Sequence, residues 1–373
     1  MKYFEKFNSN TYAGSGNQFY FEMDENEVRT GRVLYKIFAG GEYNYSLLFS
    51  NIMDSTFADG SVSQKNLVCD DWVIHSARVG RCKYINPEKD VEELTMGDEN
   101  GDVEVFDFKE ITFDGQKSKN VCGDEFFTTD PLKLYFEKDE YLCLEITFSG
   151  KKIPYHHETL LPVFVKDGQV FKYLKFMPFA GMVGCDRKVK AKIAYFGDSI
   201  TQGIGTKPNS YLHWNALLSE KIGSQYSYWN LGIGYGRADD AASDGAWLYK
   251  AKQNDIIFVC FGVNDILRNY SEEDIKSNLL YIVQNLKKLG KKVVLQTIPP
   301  FNYTGEVVEK WNRINSYILT ELKEMVDFVF DNNPYLGKEG SYETAVYGGH
   351  PNEEGCKIWA EALFEKLQNT DLI

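Results

Sequence analysis

The chain has 373 residues, 43% of them hydrophobic, 25% charged and 15% aromatic, the balance of a folded chain long enough for two domains. A formal net charge of −13 at pH 7 argues against nucleic acid and anionic membrane as partners, because both need a basic face, and favours a neutral small-molecule substrate; an oligomer is compatible with it. No apolar run approaches the length of a membrane span, the start Met1-Lys2-Tyr3-Phe4-Glu5-Lys6 lacks the apolar stretch of a signal peptide, and seven cysteines scattered singly, with no CxxC, read as reduced buried thiols, so a cytoplasmic location is expected.

Residues 1–187 read as an all-β domain. Leu142, Leu144, Ile146 and Phe148 alternate with Tyr141, Cys143, Glu145 and Thr147, the period of a strand. Lys166-Asp167-Gly168-Gln169 separates two short β-rich runs as a hairpin turn would. Gly40-Gly41, Asp59-Gly60 and Asp114-Gly115 add further turn signals, and the rhythm is that of a β-sandwich. His156-His157-Glu158 lies here. Adjacent strand residues face opposite ways, so the two histidines do not converge on one metal, and a structural role is expected.

The pattern changes near Gly184-Cys185-Asp186-Arg187, and residues 188–373 form the second domain. Strands are predicted over 193–196, 228–231, 256–261, 293–297 and 328–330, alternating with helices. One helix starts at Ser271, buries Ile275, Leu279, Ile282, Val283 and Leu286, and closes at Gly290. Others cover about 307–325 and a segment opened by Pro351. Strand–helix alternation of this kind builds a parallel sheet covered on both faces.

Chemistry-bearing residues cluster where these strands end. Tyr195-Phe196-Gly197-Asp198-Ser199-Ile200-Thr201 turns a buried strand into a helix and places Ser199 where an open α/β sheet presents reactive groups, as a nucleophile whose own N–H faces a developing oxyanion. Of five histidines, His350, in His350-Pro351-Asn352, stands in a loop leading into a helix of this half, placed to act as a base. Asn264 follows the strand ending at Phe261, and its amide is a candidate oxyanion donor. The loop Gly232-Ile233-Gly234-Tyr235-Gly236 allows close backbone approach and a further N–H donor. Its GxGxG spacing is not the GxGxxG of a dinucleotide site, no GK[ST] follows Gly197, and no metal-ligand spacing is visible, so neither a cofactor nor a metal is expected.

These four blocks, in this order, resemble the SGNH, or GDSL-type, hydrolase family. The resemblance covers roughly residues 188–373 and implies a flavodoxin-like three-layer α/β/α fold and hydrolysis of esters or thioesters through an acyl-enzyme, without a cofactor. It implies Ser199 as nucleophile and His350 as base. The implied oxyanion donors are the Ser199 N–H, the Asn264 amide and an N–H of Gly234 or Gly236. A β-sandwich ahead of such a domain is similar to the layout of some carbohydrate acetyl esterases, which implies a serine esterase for short, acetyl-like acyl groups on sugars. A thioesterase or lysophospholipase, or a glycan-binding protein without turnover, is the alternative. The chain departs from the family at Tyr347, which stands where an aspartate three residues before the histidine is usual. A backbone carbonyl is the expected replacement; Glu343 and Asp331 are the carboxylate candidates.

Overall fold

Alternating apolar and polar side chains in the first half of the sequence give antiparallel strands in the computed structural model, which describes residues 2–24, 26–55, 65–97, 101–337 and 343–373. One sheet is built round Gly41–Ser50, paired with Met182–Cys185, Phe126–Thr128 and Leu132–Phe136. A larger one is built round Tyr141–Gly150, flanked by Arg29–Lys36 and Trp72–Ile85. Val163–Asp167 and Val170–Tyr173 form the hairpin, with Gly168 at φ 61° in its turn. Leu142, Leu144, Ile146 and Phe148 are fully buried, as their spacing requires. The intervening Cys143 and Glu145 are buried too. On that second face Cys143 packs with Leu94, Met96, Val103 and Phe171, and Glu145 is held by Arg32 (2.8 Å) and Arg78 (2.6 Å), whose guanidiniums lie over Phe108. The strand Lys152–Tyr155 ends before the two histidines, so they do not alternate across a sheet as expected: His156 is buried beside Phe179 and His157, in the turn that follows, bonds to the Tyr155 hydroxyl.

The chain divides into two compact units, one of Met1–Met53 with Leu67–Lys188, the other of Asp54–Asn66 with Val189–Ile373. A single division between residues 187 and 188 therefore assigns a short segment of the first half to the other side. The reason is ionic. The ammonium of Lys250 and the carboxylate of Asp54 are buried together, 2.6 Å apart, and neither is stable there alone. Ser55 donates to Asp240, Lys65 pairs with Asp239, and Asn66 accepts from the Ala246 N–H.

The second unit contains a parallel sheet. Its strands are β1 (Lys192–Gly197), β2 (Ser227–Asn230), β3 (Ile256–Cys260), β4 (Lys292–Gln296) and β5 (Phe328–Phe330), in the spatial order β2-β1-β3-β4-β5. This is the flavodoxin-like order. Its helices include α1 (Ser199–Gln202), α2 (Trp214–Ile222), α3 (Ala238–Ala241), α4 (Ala246–Lys252), α5 (Val263–Leu267), α6 (Glu272–Lys288), α7 (Glu306–Thr320) and α8 (Glu353–Leu367). Neighbouring residues on β1 show both covered faces. Tyr195 packs on Trp214 of α2, which stacks on Trp359 of α8, whereas Phe196 packs on Trp247 of α4. Helix α6 begins as its sequence indicates, with Ser271 accepting from the Asp274 N–H, and Gly290 follows its end at φ 71°. Helix α8 differs from expectation. Pro351 precedes it, and Asn352 is the cap, accepting from the Gly355 N–H at 2.9 Å, because a side-chain oxygen satisfies an otherwise orphan donor.

The buried Asp54–Lys250 pair supplies a test. Asp54→Ala should lower the unfolding free energy of the second unit by about 3–5 kcal/mol, the usual cost of stranding one buried charge. A fragment starting at residue 189 should be similarly weakened. Denaturant titration followed by tryptophan fluorescence measures both, and a loss under about 1 kcal/mol would show that the ammonium finds another partner.

Candidate active site

The site is built at the carboxyl edge of the sheet, at the end of β1, which has β2 on one side and β3 on the other. In open α/β sheets that switch point leaves a crevice between diverging loops. Asp198 ends the turn out of β1 and caps α1, accepting from the Ile200 N–H at 3.0 Å. The cap fixes Ser199 as the first residue of α1, and its N–H takes no acceptor in the protein, as befits an orphan donor of a helix start.

Ser199 Oγ lies 2.9 Å from His350 Nε2. The other ring nitrogen, Nδ1, lies 3.0 Å from the backbone oxygen of Tyr347. A carbonyl only accepts, so Nδ1 carries the proton and Nε2 turns its lone pair to the Ser199 hydroxyl. The turn that makes this possible is Tyr347-Gly348-Gly349-His350, with φ 68° and 99° at its two glycines. A side chain at Gly349 would also meet the Phe301 backbone at 2.9 Å. The Tyr347 carbonyl receives the His350 N–H as well, at 3.3 Å, so a three-residue loop holds the ring. Burial pushes the His350 pKa below its ordinary 6.5, and the Tyr347 carbonyl offsets part of that shift.

Among the described residues, no carboxylate hydrogen-bonds to His350. Asp331 accepts from the Thr297 hydroxyl at 3.0 Å and from the Asn333 N–H, at the end of β5. Glu343 contributes its backbone oxygen to Asn352 Nδ2.

The glycine loop and Asn264 meet at this edge. Asn264 Nδ2 donates to Gly236 O at 2.9 Å, a bond that uses one of its two amide hydrogens. The two glycine N–H groups expected as donors are both engaged within the protein. Gly234 N–H donates to Gln202 Oε1 at 2.6 Å, and Gly236 N–H closes a turn onto Ile233 O at 3.1 Å. The reason is packing: the loop lies so close to α1 that a side chain at Gly232 would come within 2.1 Å of the Gln202 backbone nitrogen, and Gln202 reaches across to hold it. Tyr235 between those glycines takes φ 61°.

Sequence reasoning overlooked two of these groups. Gln202 sits three residues past Ser199, and nothing in its surroundings distinguishes it from a helix surface residue. Asp265 follows Asn264 and accepts from the Ala238 and Asp239 N–H groups at 2.9 and 3.3 Å, binding the start of α3. Its adjacency to Asn264 was the available signal. Together Asn264 and Asp265 clamp both ends of the segment from Gly236 to Asp239.

Residues 195–358 match the model of the GDSL-like Lipase/Acylhydrolase family. The chain carries a GDSL-like acylhydrolase domain. That domain makes it a carboxylic ester hydrolase. It is 25% identical over 173 residues to the thioesterase 1/protease 1/lysophospholipase L1 of Escherichia coli strain K12, covering 46% of this chain and 81% of that protein. Among solved structures, a member of the lipolytic protein G-D-S-L family from Veillonella parvula DSM 2008 is 17% identical, with a TM-score of 0.40, over 48% of this chain and 98% of that one. Axe2, an acetylxylan esterase from Geobacillus stearothermophilus, is 18% identical, with a TM-score of 0.38, over 48% of this chain and 95% of that one.

The acylhydrolase domain also carries two buried acids with raised pKa values. Burial pushes Asp198 up to about 7, with the charge of Asp265 adding to it; burial likewise pushes Asp265 up to about 7, with the charge of Asp240 adding. Both are easier to protonate folded than unfolded. Their contribution to stability is therefore full below the unfolded value of about 4 and is lost as pH rises through about 7. Asp265→Asn should flatten the fall in unfolding free energy between about pH 5 and pH 8. An unchanged slope in denaturant titrations at those two pH values would show that Asp265 ionises without cost.

Proposed function

We propose that the acylhydrolase domain is a serine esterase for short acyl groups, acetyl above all, carried on a sugar or similar alcohol. The observation that carries the reading is the relay Ser199 Oγ–His350 Nε2 at 2.9 Å and His350 Nδ1–Tyr347 O at 3.0 Å. His350 takes the Ser199 proton on Nε2 as Oγ attacks the acyl carbon. The oxyanion is received by the Ser199 N–H and the second amide hydrogen of Asn264. The carbon–oxygen bond to the alcohol then breaks, and the imidazolium returns its proton to the departing oxygen. Water, deprotonated by the same nitrogen, attacks the acyl-enzyme and releases the acid and Ser199.

The Tyr347 carbonyl does half of what an aspartate does. It selects the tautomer and fixes the ring, but it carries no full negative charge to stabilise imidazolium. A dyad with a neutral anchor fits a substrate with a modest barrier better than a demanding one. The name of the Escherichia coli relative keeps thioesters and lysophospholipids as the comparison substrates.

Ser199→Ala should abolish hydrolysis of p-nitrophenyl acetate, by roughly three or more orders of magnitude, and abolish labelling by a fluorophosphonate, with folding unchanged. Asn264→Ala should lower kcat by roughly a hundred- to a thousandfold with a smaller change in KM. Near-normal turnover by the serine variant would refute the mechanism, and a change confined to KM would move Asn264 to substrate binding.

The pH–rate profile follows from His350. Only its neutral form accepts a proton, and its pKa lies below 6.5, so kcat/KM should hold its plateau down to that value and fall only under it. An acid limb centred above pH 7 would require a carboxylate partner that raises the imidazole pKa.

A further inference from the structure

Tyr347, the residue standing in place of an acid, is exposed where aromatic rings are usually covered. Its side chain is 65% exposed, the most of any large hydrophobic residue among those described, yet its ring centroid lies 4.9 Å from the His350 imidazole at an interplanar angle of 45°. Another ring, Phe301, is 5.1 Å from the imidazole and buried. The imidazole thus touches one ring that is buried and one that faces water.

The chemistry of acyl transfer decides what lies beside that second ring. His350 Nε2 must return a proton to the departing alcohol oxygen, so that oxygen sits within hydrogen-bond reach of Nε2. The acyl carbonyl points away from it, to the Ser199 N–H and Asn264. The remainder of the alcohol therefore leaves along the exposed side of the imidazole, where Tyr347 stands. We propose that Tyr347 is the alcohol subsite, a platform on which the C–H face of a pyranoside packs while its acetyl group is presented to Ser199. This rests on the esterase reading above and names the substrate class of the same site.

The side chain suits that ligand. A phenol offers a flat apolar face with a hydroxyl at its edge, and a pyranoside offers an apolar C–H face with hydroxyls round its rim. A net charge of −13 disfavours an anionic alcohol. Unlike a carboxylate, the tyrosine can contribute its backbone to the imidazole and its side chain to the substrate at once, so one residue holds the ring and receives the sugar.

The experiment compares two acetyl esters, a peracetylated methyl β-xylopyranoside and ethyl acetate, whose alcohol is too small to reach the ring. For wild type, Tyr347→Phe and Tyr347→Ala, the quantity read is the ratio of kcat/KM for the xyloside to that for ethyl acetate. The ratio should fall roughly tenfold in Tyr347→Ala, mainly through KM, and be largely restored in Tyr347→Phe, which keeps the face. A ratio unchanged in Tyr347→Ala, because both esters slow together or neither does, overturns the subsite and leaves a ring that only positions His350. Turnover of ethyl acetate without any of the xyloside by wild type overturns it also. Fluorophosphonate labelling of Ser199 in the same samples reports on the esterase reading itself: labelled enzyme with an unchanged ratio loses only the subsite, while unlabelled wild type loses both.

Discussion

Everything at the candidate site depends on the position of β1 in its sheet. With β2 on one side and β3 on the other, the loops that leave the carboxyl ends of these strands diverge, and the crevice between them brings together side chains from distant parts of the sequence. Ser199 follows β1, the glycine loop follows β2, Asn264 follows β3, and the turn before α8 brings His350 over them. The strands themselves are buried on both faces by Trp214, Trp359 and Trp247, so the edge they define is stiff. A stiff edge allows a serine–histidine contact to be held without a carboxylate.

The loops are tied to one another rather than left to solvent. Gln202 holds Gly234, Asn264 holds Gly236, and Asp265 holds the two N–H groups that begin α3. Asp198 does the same for α1. These donors would otherwise be unsatisfied in a buried place, where each costs about 1–3 kcal/mol. The side chains that satisfy them also fix the geometry round Ser199. Burial opposes the charge of both acids and raises their pKa values.

Segment Asp54–Asn66 adds a constraint from the other half of the sequence. Its carboxylate neutralises Lys250 in α4, and its polar groups meet Asp239, Asp240 and Ala246, the helix starts that follow the glycine loop. A buried ammonium makes such a segment obligatory, because the helix is not stable with that charge unpaired. The acylhydrolase domain is therefore discontinuous in sequence although its sheet is not.

The sequence by itself determined the parallel sheet and the helices that cover it, and put Ser199, His350 and Asn264 at strand ends or before a helix as candidates, because each of these placements follows from local rules. Apolar runs of strand length, a Ser cap at Ser271, and a polar residue just past a strand end are all readable within a few residues. Tertiary structure decided what local rules do not reach. Which N–H groups of the glycine loop are engaged depends on how closely the loop approaches α1, and the close contact at Gly232 sends Gly234 to Gln202. The burial of Glu145 depends on Arg32 and Arg78, far away in sequence. The membership of Asp54 depends on Lys250, nearly two hundred residues on, a pairing that no local pattern announces. The group that replaces the missing acid is a backbone oxygen, and every residue has one; only the fold, through two left-handed glycines packed on Phe301, selects the carbonyl of Tyr347.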